Sequence, residues 1–221
     1  MRPEVSVVVP VLNAAGLLPD AIASVREQPI ASEIVVVDDG STDETPEVAE
    51  RLADAVIAGP RRGIAAARNA GVGAARASIV AFIDADDVWT TGKLEVQRQL
   101  LEASGVPVVL GHTVIRARRG TGWVEHPRPQ LMLSLGAALM RRELFERVGC
   151  FDETLRYSED VDWFLRVRDR GHSVRVHPDV VQYARRHGAN VTHGLDMRAL
   201  GFLEVLKRSL DRRRGQEVGL P

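Results

Sequence analysis

Ile79-Val80-Ala81-Phe82-Ile83-Asp84-Ala85-Asp86-Asp87 is an apolar run that ends abruptly in three carboxylates. A short apolar run of this kind reads as a buried strand, and open α/β sheets place ligands at the carboxyl ends of such strands. Side chains two apart on an extended strand point to the same face, so Asp84 and Asp86 face one way together. Two like charges side by side repel unless a cation, a proton or a ligand compensates them. The stretch reads as a place built for a divalent metal.

Working outward, the first half of the chain alternates apolar runs with helical patterns. Val5 to Val11 is continuously apolar, as expected for a parallel strand covered on both faces. Asn13 has the chemistry to cap the next helix, whose stripe is Leu17, Leu18, Ala21, Ile22 and Val25. Ile34 to Val37 predicts a second strand, ending in Asp38-Asp39-Gly40. Ser41 and Glu44 have capping-box spacing before a helix to Leu52. Val56-Ile57 is a short third strand, Gly63 to Ala75 an Ala-rich helix, and Ile79 to Ile83 the fourth strand. This order implies right-handed crossovers in a doubly wound, mostly parallel sheet. The strand ends carry Asn13, Asp38-Asp39 and Asp84-Asp86, which points to one shared cleft.

After Trp89 the pattern changes. Lys93 to Glu102 predicts a helix; Val106–Gly111 and Thr113–Ala117 predict strands, followed by a polar turn to Gly122. Leu135 to Met140 is apolar, Arg142 to Val148 a short helix, and Asp160 to Arg170 a longer one. Ser173–Val176 and Val180–Ala184 predict two more strands, and Leu195–Arg214 a helix with Leu200, Leu203, Leu206 and Leu210 in a stripe. The expected organisation is one domain over 1–221, with a first lobe over 1–88, a smaller mixed lobe over 89–194 and an amphipathic helix and tail over 195–221.

Composition bounds the class. Hydrophobic residues make up 45% of the 221 and charged residues 27%, ordinary for a soluble globular protein. A net charge of −1 argues against nucleic acid or another polyanion as a global partner. Cys150 is the only cysteine, so no intrachain disulfide forms and a buried structural thiol is expected. There is no apolar run long enough to span a bilayer and no basic-then-apolar leader, so the expected location is the cytoplasm. The C-terminal helix sets Lys207, Arg208 and Arg212–Arg214 beside its leucines, which suits docking, peripheral contact with anionic lipid, or a homodimer.

Five motifs, in order, carry a resemblance. Val5-Ser6-Val7-Val8-Val9-Pro10-Val11-Leu12-Asn13, Val36-Val37-Asp38-Asp39-Gly40-Ser41-Thr42-Asp43-Glu44-Thr45, Gly63-Ile64-Ala65-Ala66-Ala67-Arg68-Asn69-Ala70-Gly71, Asp84-Ala85-Asp86-Asp87, and Gly149-Cys150-Phe151-Asp152-Glu153 with Ser158-Glu159-Asp160-Val161-Asp162 together resemble the inverting family 2 glycosyltransferases. They span roughly residues 4–195, about nine-tenths of the chain. Cys150 stands where the family more often has Gly.

The resemblance implies a GT-A fold, whose first lobe binds a nucleotide-diphosphate sugar and whose second binds the acceptor. It implies a hexosyltransferase with a DxD motif and Mn²⁺ or Mg²⁺ as cofactor, a UDP-sugar being favoured. It makes Asp86 the metal ligand, with Asp84 near the ribose or the metal and Asp87 behind them. The donor set it implies is the backbone at Pro10 and Val11, with Asn13, Asp38, Asp39, Gly63, Arg68, Asp84, Ala85 and Asp86. Asp38 reads the base; Asp39 either joins it or shapes the Asp39-Gly40 turn. Arg68 either reaches a phosphate or base or lies on a helix surface. Asp160 is the general base, a role compatible with capping its helix, and Glu159 positions acceptor or base. Trp163 either lines the acceptor groove or packs in the core. Tyr183 to His193 resembles the family's late loop, where a His (His187 or His193) or an Arg would touch diphosphate or metal. The acceptor stays open: a glycan, lipid-linked sugar, peptide or small molecule. Gly120-Thr121-Gly122-Trp123, in the short segment between the acidic motif and Gly149, is expected to shape its site.

Two other readings share features. A haloacid-dehalogenase-like phosphatase also ends a strand in Asp-x-Asp, but it needs a downstream Lys near the phosphoryl group. Lys93 and Lys207 are the only lysines, one too close and one in the last helix. A non-catalytic nucleotide-sugar-binding module would keep the cleft without needing both Asp86 and Asp160.

Overall fold

The computed structural model of the chain describes residues 2–188, 194, 196 and 198–217. Strands β1 (Val5–Val11), β2 (Ser32–Asp38), β3 (Ala55–Ala58) and β4 (Ile79–Phe82) pair in parallel in the order β3-β2-β1-β4. Helices α1 (Leu18–Arg26), α2 (Thr45–Leu52) and α3 (Ile64–Ala74) connect them. Alternate side chains of these strands feed two cores. Val7, Val9 and Ile79 join α1 through Leu18 and Ile22, while Val8, Val80 and Phe82 join α3 through Ala65, Ala67 and Val72. Burial on both faces explains why the runs are continuously apolar rather than alternating.

The sheet does not stop at Trp89. After β5 (Val88–Trp89) and α4 (Lys93–Ser104) come β6 (Val108–Arg119), β7 (Gly122–Glu125), a 3₁₀ turn (Leu135–Ala137), β8 (Ala138–Arg141), α5 (Leu144–Val148), α6 (Glu159–Asp169), β9 (Val174–Arg186) and α7 (Phe202–Glu217). The sheet continues β4-β8-β6-β9-β5, with β7 on β6. β8 is antiparallel to β4 and β6, whereas β6 and β9 are parallel. The fold is therefore α/β, with a parallel half and a mixed half in one sheet.

Several expectations change. The four strand segments expected in the second half merge into two long strands, because the β6–β9 register shifts between Leu110 and Thr113 and absorbs the interruptions at Gly111-His112 and His177-Pro178-Asp179. Asn13 and Ser41 do not cap helices; they cross-link two loops, Asn13 Oδ1 accepting from Thr42 N (2.8 Å) and Asn13 N donating to Ser41 Oγ (2.9 Å). The last helix begins at Phe202, and its leucines do not form one buried stripe: Leu203 and Leu210 are exposed and Leu206 is half-buried. It docks on α6 through buried Val205 and Ser209, with Arg212 reaching Asp162 and Asp169. Cys150 is exposed rather than buried. Among the described residues, no helix is long and apolar enough to cross a membrane.

Gly71 sets how closely α3 approaches the sheet. A Cβ there would lie 2.2 Å from Val8 Cγ1 and 3.2 Å from Val37 Cγ2. Overpacking of this kind costs about 1–3 kcal/mol. Gly71→Ala is expected to lower the denaturant midpoint accordingly with an unchanged slope, as urea unfolding would show.

Candidate active site

The site is assembled at the carboxyl ends of β1, β2 and β4, where the crossovers leave a crevice. The end of β2 is braced first. Asp39 N donates to Val11 O (2.9 Å), and Asp39 accepts from Arg61 N (2.7 Å) and Gly63 N (2.8 Å). Asp39 thus shapes the 59–63 loop, with Gly63 at φ 92° leading into α3. Asp38 Oδ1 accepts from Ser41 N (2.9 Å), which turns the chain and leaves the carboxylate half-exposed at the strand end. Pro10, Val11 and Ala85 are buried, so only their backbone is positioned for a ligand.

The centre of the site is Arg68, one turn into α3 and 4% exposed. Its Nη2 donates to Asp84 Oδ1 at 2.7 Å, and its Nη1 donates to Glu159 Oε1. Burial works against the guanidinium's charge, but Asp84, Glu159 and Asp160 outweigh it and hold its pKa above the ordinary value. Arg68 therefore does not extend to a phosphate or base. It ties the strand end of the first lobe to the first turn of α6. The next residue does the same work: Asn69 Oδ1 accepts from Phe151 N (2.9 Å), and its Nδ2 donates to Phe151 O and Glu153 Oε1 (both 3.0 Å).

At the end of β4, Asp86 is pushed up from the usual carboxylate range by burial and by the charge of Asp84, with His187 opposing. His187 Nε2 lies 3.2 Å from Asp86 Oδ2. Asp87 does not face the crevice. It is buried, accepts from Arg185 N (2.9 Å) and from the Gln182 amide, and is held well above its ordinary value by burial and by Asp84 and Asp86. Arg185 also donates to Asp86 O and to Asp20 Oδ2 (2.6 Å). Gln182 and Arg185 strap β9 to the acidic turn, a role the sequence did not reveal for either. In Tyr183-Ala184-Arg185-Arg186-His187 the expectation is a His or Arg on diphosphate or metal; Arg185 instead pairs with Asp20 and the acidic turn.

Asp84 and Asp86 suit a hard divalent cation. Both offer carboxylate oxygens, and the mutual charge that raises Asp86 is what a cation would relieve. Among the described residues, no group of three or more His, Cys, Asp or Glu is placed to cage an ion alone. The fit is to an ion that takes one or two carboxylates and completes its shell with phosphate and water.

In the first turn of α6, Asp160 keeps part of its surface open while its carboxyl sits among protein atoms. Burial and the Glu159 charge push it up to about 7, against the pull of Arg68. Its Oδ1 accepts from Val161 N at 2.7 Å, and Ser158 rather than Asp160 precedes the helix, at φ 59°. Trp163 does not line a groove. It is fully buried, stacks on Phe145 at 4.8 Å and donates to Gly149 O (3.1 Å). His193 lies outside the described residues.

A family model described as "Glycosyl transferase family 2" matches residues 6–162, well over half the chain. The chain belongs to glycosyl transferase family 2. This family-2 chain is 29% identical over 205 residues to the succinoglycan biosynthesis protein ExoU of Rhizobium meliloti (strain 1021), covering 78% of itself and 59% of that protein. It is 30% identical over 187 residues to the uncharacterized glycosyltransferase EpsJ of Bacillus subtilis (strain 168), covering 72% of itself and 54% of that protein. Among solved structures, S. aureus TarS 1–349 in complex with UDP-GlcNAc superposes with a TM-score of 0.76 at 22% identity, over 95% of this chain and 66% of that one. The shared fold is GT-A. The family-2 chain spans less than two thirds of the length of each of these three proteins.

The Asp160 environment has a stability consequence. Its folded pKa of about 7 lies above the ordinary 3.8, so its contribution is full below about pH 4 and is lost as pH rises through 7. Asn carries no such penalty. Asp160→Asn is expected to raise the melting temperature relative to wild type at about pH 8 and much less at about pH 5, measured by scanning calorimetry.

Proposed function

We propose that this chain transfers one sugar from a nucleotide-diphosphate sugar, a UDP-sugar, to an acceptor hydroxyl, with inversion at the anomeric carbon. The observation that carries this reading is the bridge through Arg68. One buried cation joins a donor-side carboxylate, Asp84, to the acceptor-side turn Glu159-Asp160. TarS has been solved with UDP and with UDP-GlcNAc on the same fold, which supports the donor class.

Each group then has a role. Asp38 accepts a base N–H at the half-exposed end of β2, and the backbone at Pro10 and Val11 flanks it. Asp84 and Asp86 hold Mn²⁺ or Mg²⁺, assisted by His187. When bound, the ion supplies Lewis-acid neutralisation of the departing diphosphate. Asp160 takes the proton from the acceptor hydroxyl as it attacks the face opposite the leaving group. Its raised pKa suits that task, because a base near neutrality is ionised yet holds a proton well. Glu159, locked to Arg68, fixes the turn that carries Asp160.

The phosphatase reading lacks its cation. Lys93 is buried beneath β8, donating to Gln97 Oε1 (2.8 Å) and Ala138 O (3.0 Å) beside Trp89, and Lys207 is on α7. A binding module would have no use for an Asp160 held near neutrality.

With UDP-sugar and Mn²⁺, Asp160→Asn is expected to lower kcat by roughly 10²- to 10⁴-fold with UDP affinity retained. Undiminished transfer would refute the base assignment. Chelation by EDTA is expected to abolish transfer, and added Mn²⁺ or Mg²⁺ to restore it; full activity in chelator would remove the metal role of Asp86. Proton NMR of the fresh product is expected to show the opposite anomeric configuration to the donor, and retention would exclude this mechanism.

A further inference from the structure

The β6–β7 hairpin holds groups that the transfer reaction as described does not use. The register pairs Arg118 with Trp123 and Arg116 with Glu125, which puts these four side chains on one face of the hairpin. Trp89 and Trp163 are buried, so Trp123, half-buried, is the one tryptophan whose ring meets solvent. Its ring centroid lies 6.4 Å from that of His187, and His187 Nε2 is 3.2 Å from Asp86 Oδ2. An open indole therefore stands at the edge of the crevice, beside the donor-side carboxylates.

The cations around this ring are not equivalent. Arg185 lies 5.4 Å from the ring centroid and is engaged by Asp20 at 2.6 Å. Arg116 is engaged by Glu125 at 2.6 Å and seated 3.4 Å from the Tyr183 ring centroid. Arg118 is exposed, 5.9 Å from the Trp123 ring centroid, and has no carboxylate partner among the described residues. A planar guanidinium in this state is suited to a carboxylate or phosphate, which it binds bidentately. An indole offers large apolar area at low entropic cost, which suits the C–H face of a pyranose ring.

We propose that Trp123 and Arg118 form an acceptor subsite for an anionic saccharide unit. The sugar face lies against the indole, and its carboxylate or phosphate pairs with Arg118. This subsite rests on the glycosyl-transfer reading above, since its occupant is the acceptor of that reaction. It selects by charge which acceptors enter, and it leaves the donor contacts untouched.

A glycan array carrying matched acidic and neutral saccharides, probed in the presence of UDP and Mn²⁺, tests the subsite. The wild-type chain is expected to retain uronic-acid-bearing or phosphorylated glycans roughly tenfold over their neutral counterparts, the scale of one charge-assisted hydrogen bond. Arg118→Gln is expected to erase that preference, and Trp123→Ala to lose binding of both classes. Both variants are expected to bind UDP as wild type does in calorimetry, which also shows that they fold. Equal retention of acidic and neutral glycans, no retained glycan, or an unchanged pattern in Trp123→Ala would overturn the subsite. Failure of the wild-type chain to bind UDP would instead overturn the donor reading beneath it.

Discussion

The site depends on one buried guanidinium. Arg68 satisfies two carboxylates from elements 16 and 91 residues away in sequence, Asp84 at the end of β4 and Glu159 at the start of α6. A buried cation without partners would be far too costly, and so would the buried Glu159 carboxylate without Arg68, whereas Asp84 is partly exposed. Arg68 and Glu159 therefore depend on each other, and Asp84 completes the bridge. Their cost is met by the packing around them, where Phe82, Phe145, Phe151 and Trp163 form one aromatic cluster under the α6 turn.

This arrangement divides labour among carboxylates that look alike in sequence. Glu159 and Asp84 are bound by Arg68, Asp87 by Gln182 and Arg185, and Asp39 by two backbone amides. Asp86, paired with His187, and Asp160, which accepts from Val161 N, lie in partly open positions, their pKa values raised by burial and a neighbouring carboxylate. On the reading proposed above, these are the two whose charge the reaction uses, one by meeting a cation and the other by taking a proton.

Much of this was legible in the residues. Continuous apolar strands with Asp at their ends gave the parallel half of the sheet and the location of the crevice, because burial on both faces leaves a strong compositional signature. The long strands β6 and β9 were not legible. Gly111-His112 and Pro178 look like strand breaks, and only the pairing of the two strands shows that a shared register shift absorbs them. Helix caps failed for a similar reason: Asn13 and Ser41 found partners in each other's loops, which spacing along one segment cannot reveal. Arg68 was expected either to reach a phosphate or base or to lie on a helix surface, and its carboxylate partners were not legible because they lie far away in sequence. Trp163 was half-read, its position near the acidic turn suggesting a groove and its ring belonging to the core.

The central claim is that burial and the neighbouring Glu159 charge, set against the pull of Arg68, keep Asp160 near neutrality as a base. Carbon-13 NMR of the side-chain carboxyls, titrated with pH in the metal-free protein and assigned by Asp160→Asn, measures this directly. The account predicts that the Asp160 resonance titrates around 7. A midpoint in the ordinary carboxylate range, near 3.8, would contradict it.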